Sequence, residues 1–189
     1  MPEPMSVFPT DDEVIDAWLS GKLDTLIEET LRPLLGEPFV EFGRAGGLAW
    51  LGFGEVVPSP ARAVPDRKLA RHRIHVSCPF RLDGTDGKAI AAQADFFEPG
   101  SKSDADQPDF NWDTPGGNRF DVAVTDFWRR DAANVGVVED ISADQAGGLT
   151  VLLSTRNTIR CFPNQSGRAE HWRYFRVGQS DHFVVLPEE

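Results

Sequence analysis

The chain has 189 residues, 40% of them hydrophobic and 26% charged, a balance that excludes collagen-like and wholly disordered classes. At that length a single domain, residues 1–189, buries a core without a metal or disulfide staple. Thirty acidic against nineteen basic residues leave a net charge of −11, which repels phosphate backbones and anionic lipid and so disfavours nucleic acid and membranes as partners. The same charge speeds encounter with a basic protein, and it equally serves solubility alone.

The opening MPEPMSVFPTDDE lacks a basic region followed by an apolar one, so no signal peptide is expected. No apolar run approaches the roughly 18 residues of a membrane span. Cys78 and Cys161 are the only cysteines, too few for a disulfide framework, and a reducing cytoplasm is the expected location. Thr10-Asp11-Asp12-Glu13 forms a capping box, from which a helix starts near Asp11. Val14, Ile15, Trp18 and Leu19 mark its apolar stripe; after Gly21, Leu23, Leu26, Ile27, Leu31 and Leu34 resume helical spacing until Pro33 and Gly36. The N-terminal segment is therefore two helices or one kinked helix.

From Pro38 the period becomes strand-like. EPFVEFGR and GGLAWLGFGEVV make a hairpin around Ala45-Gly46-Gly47, and SPARAVPD is a loop. A strand is predicted from Leu69 through HRIHVSCPF to Arg81, and a second, KAIAAQADFF, after the turn Asp83–Gly87. Residues 98–117 are a long, acidic, Pro- and Gly-rich loop, of a length that is either functional or disordered. Asn118 then caps a mid-chain helix carrying Phe120, Ala123, Val124 and Phe127, and five short strands complete the chain. Strands run consecutively rather than alternating with helices, which predicts an α+β fold: a mostly antiparallel, strongly curved or barrel-like sheet with an N-terminal helical segment and one mid-chain helix. No glycine-rich loop joins a strand to a helix, so dinucleotide and P-loop signatures are absent.

HRIHVSCPF gathers two of four histidines and one of two cysteines, but strand alternation argues against a metal cluster. Ala70, His72, Ile74, Val76, Cys78 and Phe80 share one face; Arg71, Arg73, His75 and Ser77 share the other. His72 and His75 thus point apart, and His72 and Cys78 lie about 20 Å apart along the strand. No zinc spacing such as paired CxxC occurs, and no cofactor is implied. The cysteines read as small core hydrophobes. His75 is the histidine of interest, because its face is polar and basic.

IHVSCPFRL resembles the LHxxCxxR strand of a family of uncharacterised bacterial proteins of similar length, with Phe80 standing where that family more usually has Trp. Glu170-His171-Trp172-Arg173 resembles the family's C-terminal ExWR strand. Asp95-Phe96-Phe97-Glu98-Pro99, the acidic loop, the Asn-Arg-Phe-Asp helix start and the final HFVV strand extend the likeness over most of the chain. The resemblance implies the architecture and no activity.

The chain has no G-x-S-x-G elbow, and the acidic run Asp104, Asp106, Asp109, Asp113 lacks the sixth-position glycine and closing glutamate of an EF-hand loop. A polar pocket, if one forms, is expected where His75, Arg81, Asp95, Glu170 and Arg173 converge; a structural ion network at a sheet rim uses the same residues. Trp112, Trp128 and Trp172 are either core or exposed anchors. Two functional classes follow. The favoured one is a non-catalytic, immunity-like or accessory interaction module whose acidic loop, through Asp104, Asp106 and Asp109, meets a basic protein. The other is a small-molecule-binding or hydrolytic protein built around His75, Asp95 and Glu170. The sequence specifies no oligomeric state.

Overall fold

The computed structural model describes residues 8–60, 67–101, 110–131, 136–166 and 169–186. The N-terminal segment is two helices, α1 (Asp11–Leu19) and α2 (Leu23–Leu31), followed by a 3-10 turn, Arg32–Leu34, that Pro33 initiates. The capping box forms: the Thr10 amide donates to Glu13 Oε2 at 2.8 Å and the Glu13 amide to Thr10 Oγ1 at 3.3 Å. In α2, Leu23, Ile27 and Leu31 are buried at four-residue spacing, one stripe turned to the core. Its own N-cap, Lys22, offers no side-chain bond. The cap comes instead from Gln145, whose Oε1 accepts from the Leu23 amide at 3.2 Å while its Nε2 donates to Gly21 O at 3.0 Å.

Among the described residues ten strands follow: β1 (Phe39–Ala45), β2 (Leu48–Pro58), β3 (Lys68–Val76), β4 (Phe80–Asp83), β5 (Ala89–Ala92), β6 (Val138–Ala143), β7 (Leu149–Leu153), β8 (Thr158–Cys161), β9 (Trp172–Arg176) and β10 (His182–Val185). All pair antiparallel, and the fold is α+β. The strands are shared between two five-stranded sheets, ordered β1-β2-β3-β9-β10 and β5-β4-β8-β7-β6. The sheets meet where the Phe39 amide donates to Gly136 O at 3.1 Å and the Val138 amide to Glu37 O at 2.9 Å. α3 (Arg119–Asp131) packs against β5 and β1, and α2 against β6.

Two strand expectations are corrected. The segment from Leu69 to Arg81 is not one strand: it breaks at Ser77–Pro79, and β3 and β4 belong to different sheets. Pro79 has no N–H to continue a ladder, while the Ser77 and Cys78 amides both turn to His171 O, at 2.8 and 3.0 Å. KAIAAQADFF is a strand only over β5. Residues Gln93–Phe97 form a 3-10 turn, because Asp95 Oδ2 takes the Ala92 amide at 2.8 Å and folds the backbone back.

Between the sheets lies an aromatic core. Phe42 meets Phe80 and Phe120 edge-on at 5.8 and 5.0 Å, and Phe96 meets Phe120 at 4.7 Å, geometries that add roughly 0.5–1.5 kcal/mol per pair beyond area burial. Trp172 is fully buried and donates its Nε1–H to Gly147 O at 2.8 Å. Ala70, His72, Ile74, Val76, Cys78 and Phe80 are all buried, as the alternation requires. Asn118 caps α3 through the Asp121 amide at 2.9 Å. Among the described residues no helix is long and apolar enough to cross a membrane.

Cys78 and Cys161 are buried; burial pushes the Cys78 thiol up to about 11 and that of Cys161 well above its usual value. Only the thiolate reacts, so a thiol reagent at neutral pH is expected to label the native protein slowly and the denatured protein at once. Fast labelling of the native protein would overturn the assignment of both residues to the core.

Candidate functional site

The face of the first sheet turned away from the core is assembled by strand register. One row across it runs Gly43, Trp50, His75, Arg173, Val184; the next runs Glu41, Gly52, Arg73, Phe175, His182. Two glycines make the rows possible. A Cβ on Gly43 would lie 2.7 Å from Trp50 Cζ2, and one on Gly52 would lie 2.7 Å from Glu41 Cβ. With Gly52 bare, the Glu41 side chain crosses above β2 to reach Arg73, Nη1 to Oε2 at 2.7 Å. The Arg73 guanidinium is buried beneath this pair and sits 5.8 Å from the Trp50 ring centre.

His75, Glu170 and Arg173 do come together here. Arg173 Nε donates to Glu170 Oε1 at 2.6 Å and its Nη2 to Oε2, a two-pronged pair. Arg173 Nη1 lies 3.2 Å from His182 Nδ1; since a guanidinium only donates, His182 accepts and is neutral. Phe175 is sandwiched, edge-on to His75 at 4.8 Å and stacked on His182 at 4.6 Å. Burial first, then the charges of Arg73 and Arg173, hold His75 down to about 4 against the opposing pull of Glu170. General acid–base work at neutral pH wants a pKa near 7, and the cluster spends its hydrogen bonds on itself.

Arg81 and Asp95 do not join it, which corrects the expected five-residue convergence. The break at Ser77–Pro79 puts Arg81 into β4 of the second sheet, where it is exposed, lies opposite Ala92 and Arg160, and pairs with Asp83. Asp95 is engaged in the 3-10 turn with the Ala92 amide and lies 3.5 Å from Arg119.

A second locus lies at the root of the long loop. Its ends are stitched by Gly100 N to Gly117 O at 2.9 Å and Arg119 N to Glu98 O at 2.8 Å. The buried Arg44 side chain anchors the returning strand: Nε and Nη2 each reach a different Asp121 oxygen at 3.0 Å, Nη2 also donates to Trp112 O at 3.0 Å, and Nη1 to Asp113 Oδ1 at 3.2 Å. Asn118 Nδ2 donates to the same Trp112 carbonyl at 2.8 Å. Trp112, half-buried, packs at 5.1 Å against Phe97, which is 56% exposed. Of the three open tryptophans, Trp172 is core, Trp128 packs against Phe39, and Trp112 stands at the loop. Asp104, Asp106 and Asp109 lie outside the described residues.

Among the described residues two clefts stand out, and neither is lined by His75. One, of about 430 Å³, separates α3 from β5, with Ile90, Val122 and Phe127 among charged neighbours that include Lys88, Asp126 and Arg130. The other, of about 380 Å³, lies at the far end of β3 and β9 and is lined by Glu37, Arg71, His72, Arg176, Val177 and Gln179, with Pro33 at its edge. Sequence reasoning set His72 on the strand face shared by Ala70, Ile74 and Val76 and passed over this cleft; the available signal was a histidine on an otherwise apolar strand face. Its Nδ1 lies 2.7 Å from the Tyr174 hydroxyl. Among the described residues no group of three or more His, Cys, Asp or Glu side chains is placed to hold a metal ion.

Burial, with Arg176 and Arg71 nearby, also takes His72 down to about 4. An unfolded histidine titrates near 6.5, so at pH 7 both states are neutral and neither histidine affects stability. As pH falls from about 6.5 to about 4 the unfolded chain takes up protons that His72 and His75 refuse, and stability must fall. Urea midpoints measured across this window are expected to decline with acid, and the H72Q/H75Q double variant to decline less steeply than the native chain. Parallel profiles would overturn the burial of these imidazoles. No family model, curated protein or solved structure matches the chain.

Proposed function

We propose that the protein is a non-catalytic interaction module of the cytoplasm, immunity-like or accessory in kind, that engages a basic protein through the root and the acidic body of the 98–117 loop. The observation that carries this reading is the exposed Phe97 ring held against Trp112 beside that acid-rich segment. Interfaces draw most of their affinity from a few aromatic or arginine anchors on a rigid support, ringed by polar groups. The Arg44–Asp121 pair and the two bonds to Trp112 O supply the support. Asp113, 56% exposed at its side chain, adds a carboxylate at the root; Asp104, Asp106 and Asp109 add acidic charge to the loop's sequence, and the net charge of −11 favours a basic partner.

The alternative, a small-molecule or hydrolytic site around His75, Asp95 and Glu170, loses support because Asp95 has partners of its own elsewhere and His75 lines neither cleft. The likeness to uncharacterised bacterial proteins with LHxxCxxR and ExWR strands is proposed as kinship of fold and adds no activity.

The test is kinetic. With the partner captured and purified, F97A is expected to weaken binding by about ten- to a hundredfold, mainly through faster dissociation, as loss of an anchor does. Replacing Asp104, Asp106 and Asp109 by Asn is expected to slow association and flatten its salt dependence, with the melting temperature nearly unchanged. Unaltered kinetics in both variants would remove the loop from the interface.

A further inference from the structure

The cleft at the far end of β3 and β9 has a wall chemistry that neither the core nor the loop explains. Two of its lining residues carry polar atoms closed to solvent and without a hydrogen-bond partner: Arg176 Nε, a donor, and Gln179 Oε1, an acceptor. Each such group, left unmatched, is destabilising. They arise from the topology. Arg176 lies opposite His72 across the β3–β9 ladder, and Gln179 sits in the turn to β10, its amide bonded to Arg176 O at 3.1 Å. The Arg176 guanidinium is seated 5.9 Å from the Phe8 ring centre, and Phe8 in turn packs edge-on against Tyr174 at 5.3 Å. This arginine is therefore held in place from behind and has no carboxylate partner in the described structure.

The charges of the cleft are two cations and one anion. Arg71, which also pairs with the exposed Glu55, and Arg176 carry the positive charge. Glu37 carries the negative charge; its Oε2 would lie 2.7 Å from a Cβ at Gly54, so the absence of a side chain there leaves the carboxylate its room. His72 is occupied by the Tyr174 hydroxyl at 2.7 Å and adds no charge at neutral pH. The apolar lining comes from Pro33 and Val177. A volume of about 380 Å³ falls at the small end of ligand sites, which run from about 300 to 1,000 Å³.

We propose that this cleft binds a free α-amino acid with a small apolar side chain, its carboxylate on Arg176 and Arg71, its ammonium on Glu37 and Gln179 Oε1, and its side chain against Pro33 and Val177. A zwitterion supplies an acceptor for the unmatched Arg176 donor and a donor for the unmatched Gln179 acceptor at once. It also matches a wall holding both signs of charge. A dianion would be repelled by Glu37, and a simple amine would leave Arg176 unmatched.

The test is titration of the full chain, followed by heteronuclear NMR, with glycine, L-alanine, L-valine, L-leucine and L-proline. The controls are lactate and isobutyrate, which lack the ammonium group, and isopropylamine, which lacks the carboxylate. At least one amino acid is expected to bind with a dissociation constant below about 10 mM, shifting the amides of residues 36–38, 71–73 and 176–179, with the controls at least about tenfold weaker. E37Q and R176K are each expected to weaken binding by about tenfold or more, while D126N, in the cleft beside α3, leaves it unchanged. Should R176K not fold, E37Q decides alone. Absence of binding by all five amino acids would overturn the proposal. So would equal binding of lactate, or an unchanged constant in E37Q.

Discussion

Everything in the fold turns on the hand-over at Ser77–Pro79. Residues Lys68–Asp83 run through the first sheet as β3, break, and enter the second as β4. The Ser77 and Cys78 amides would be stranded by the break, and a buried unpaired amide is costly. One carbonyl, His171 O, takes both, while the His171 amide donates to Val185 O at 2.9 Å. The start of β9 is thereby fixed against both β3 and β10, and Trp172, the next residue, is set into the core. Because the break preserves alternation, Val76, Cys78 and Phe80 face the same interior, and one core serves two sheets.

The same hand-over decides which polar residues can meet. Arg81 leaves the first sheet with β4, and His75 stays behind with Arg173 and Glu170 in a network that closes on itself. Arg73 shows how far the closure goes: its side chain is 4% exposed, yet it has the Glu41 carboxylate at 2.7 Å and the Trp50 ring beside it. Burying one charge without its partner is strongly destabilising, while the pair itself adds little net stability. Networks of this kind specify register rather than chemistry, and Gly43 and Gly52 are the residues that make room for it.

Arg44 does comparable work at the other edge. From one position on β1 it binds α3 through Asp121, the returning loop through Trp112 O, and the aromatic core through Phe96, 5.6 Å from its ring centre. A loop of this length would otherwise carry the full entropy of its residues. These bonds hold the two ends of the loop, Glu98–Ser101 and Trp112–Arg119, against β1 and α3. The cleft at His72 differs in kind: it is a small enclosure with unmatched polar walls rather than an exposed anchor.

What the sequence by itself determined was everything that depends on near neighbours. The Thr10–Glu13 capping box, the Asn118 cap, the Gly46-Gly47 hairpin and the burial of the face carrying Ala70, His72, Ile74, Val76, Cys78 and Phe80 all rest on contacts within a few positions, and each is present. The α+β class followed from the order of those elements. The tertiary structure alone decided the rest. Alternation continues unbroken through Ser77–Pro79, so the period could not reveal a change of sheet; Asp95 looked like a strand end because its capping of Ala92 leaves no mark on hydrophobic spacing. Arg44 and Asp121 are 77 positions apart and His72 and Tyr174 are 102 apart. Long-range pairs of this kind are selected by packing and by the need to satisfy buried polar groups, which act only once the chain is folded.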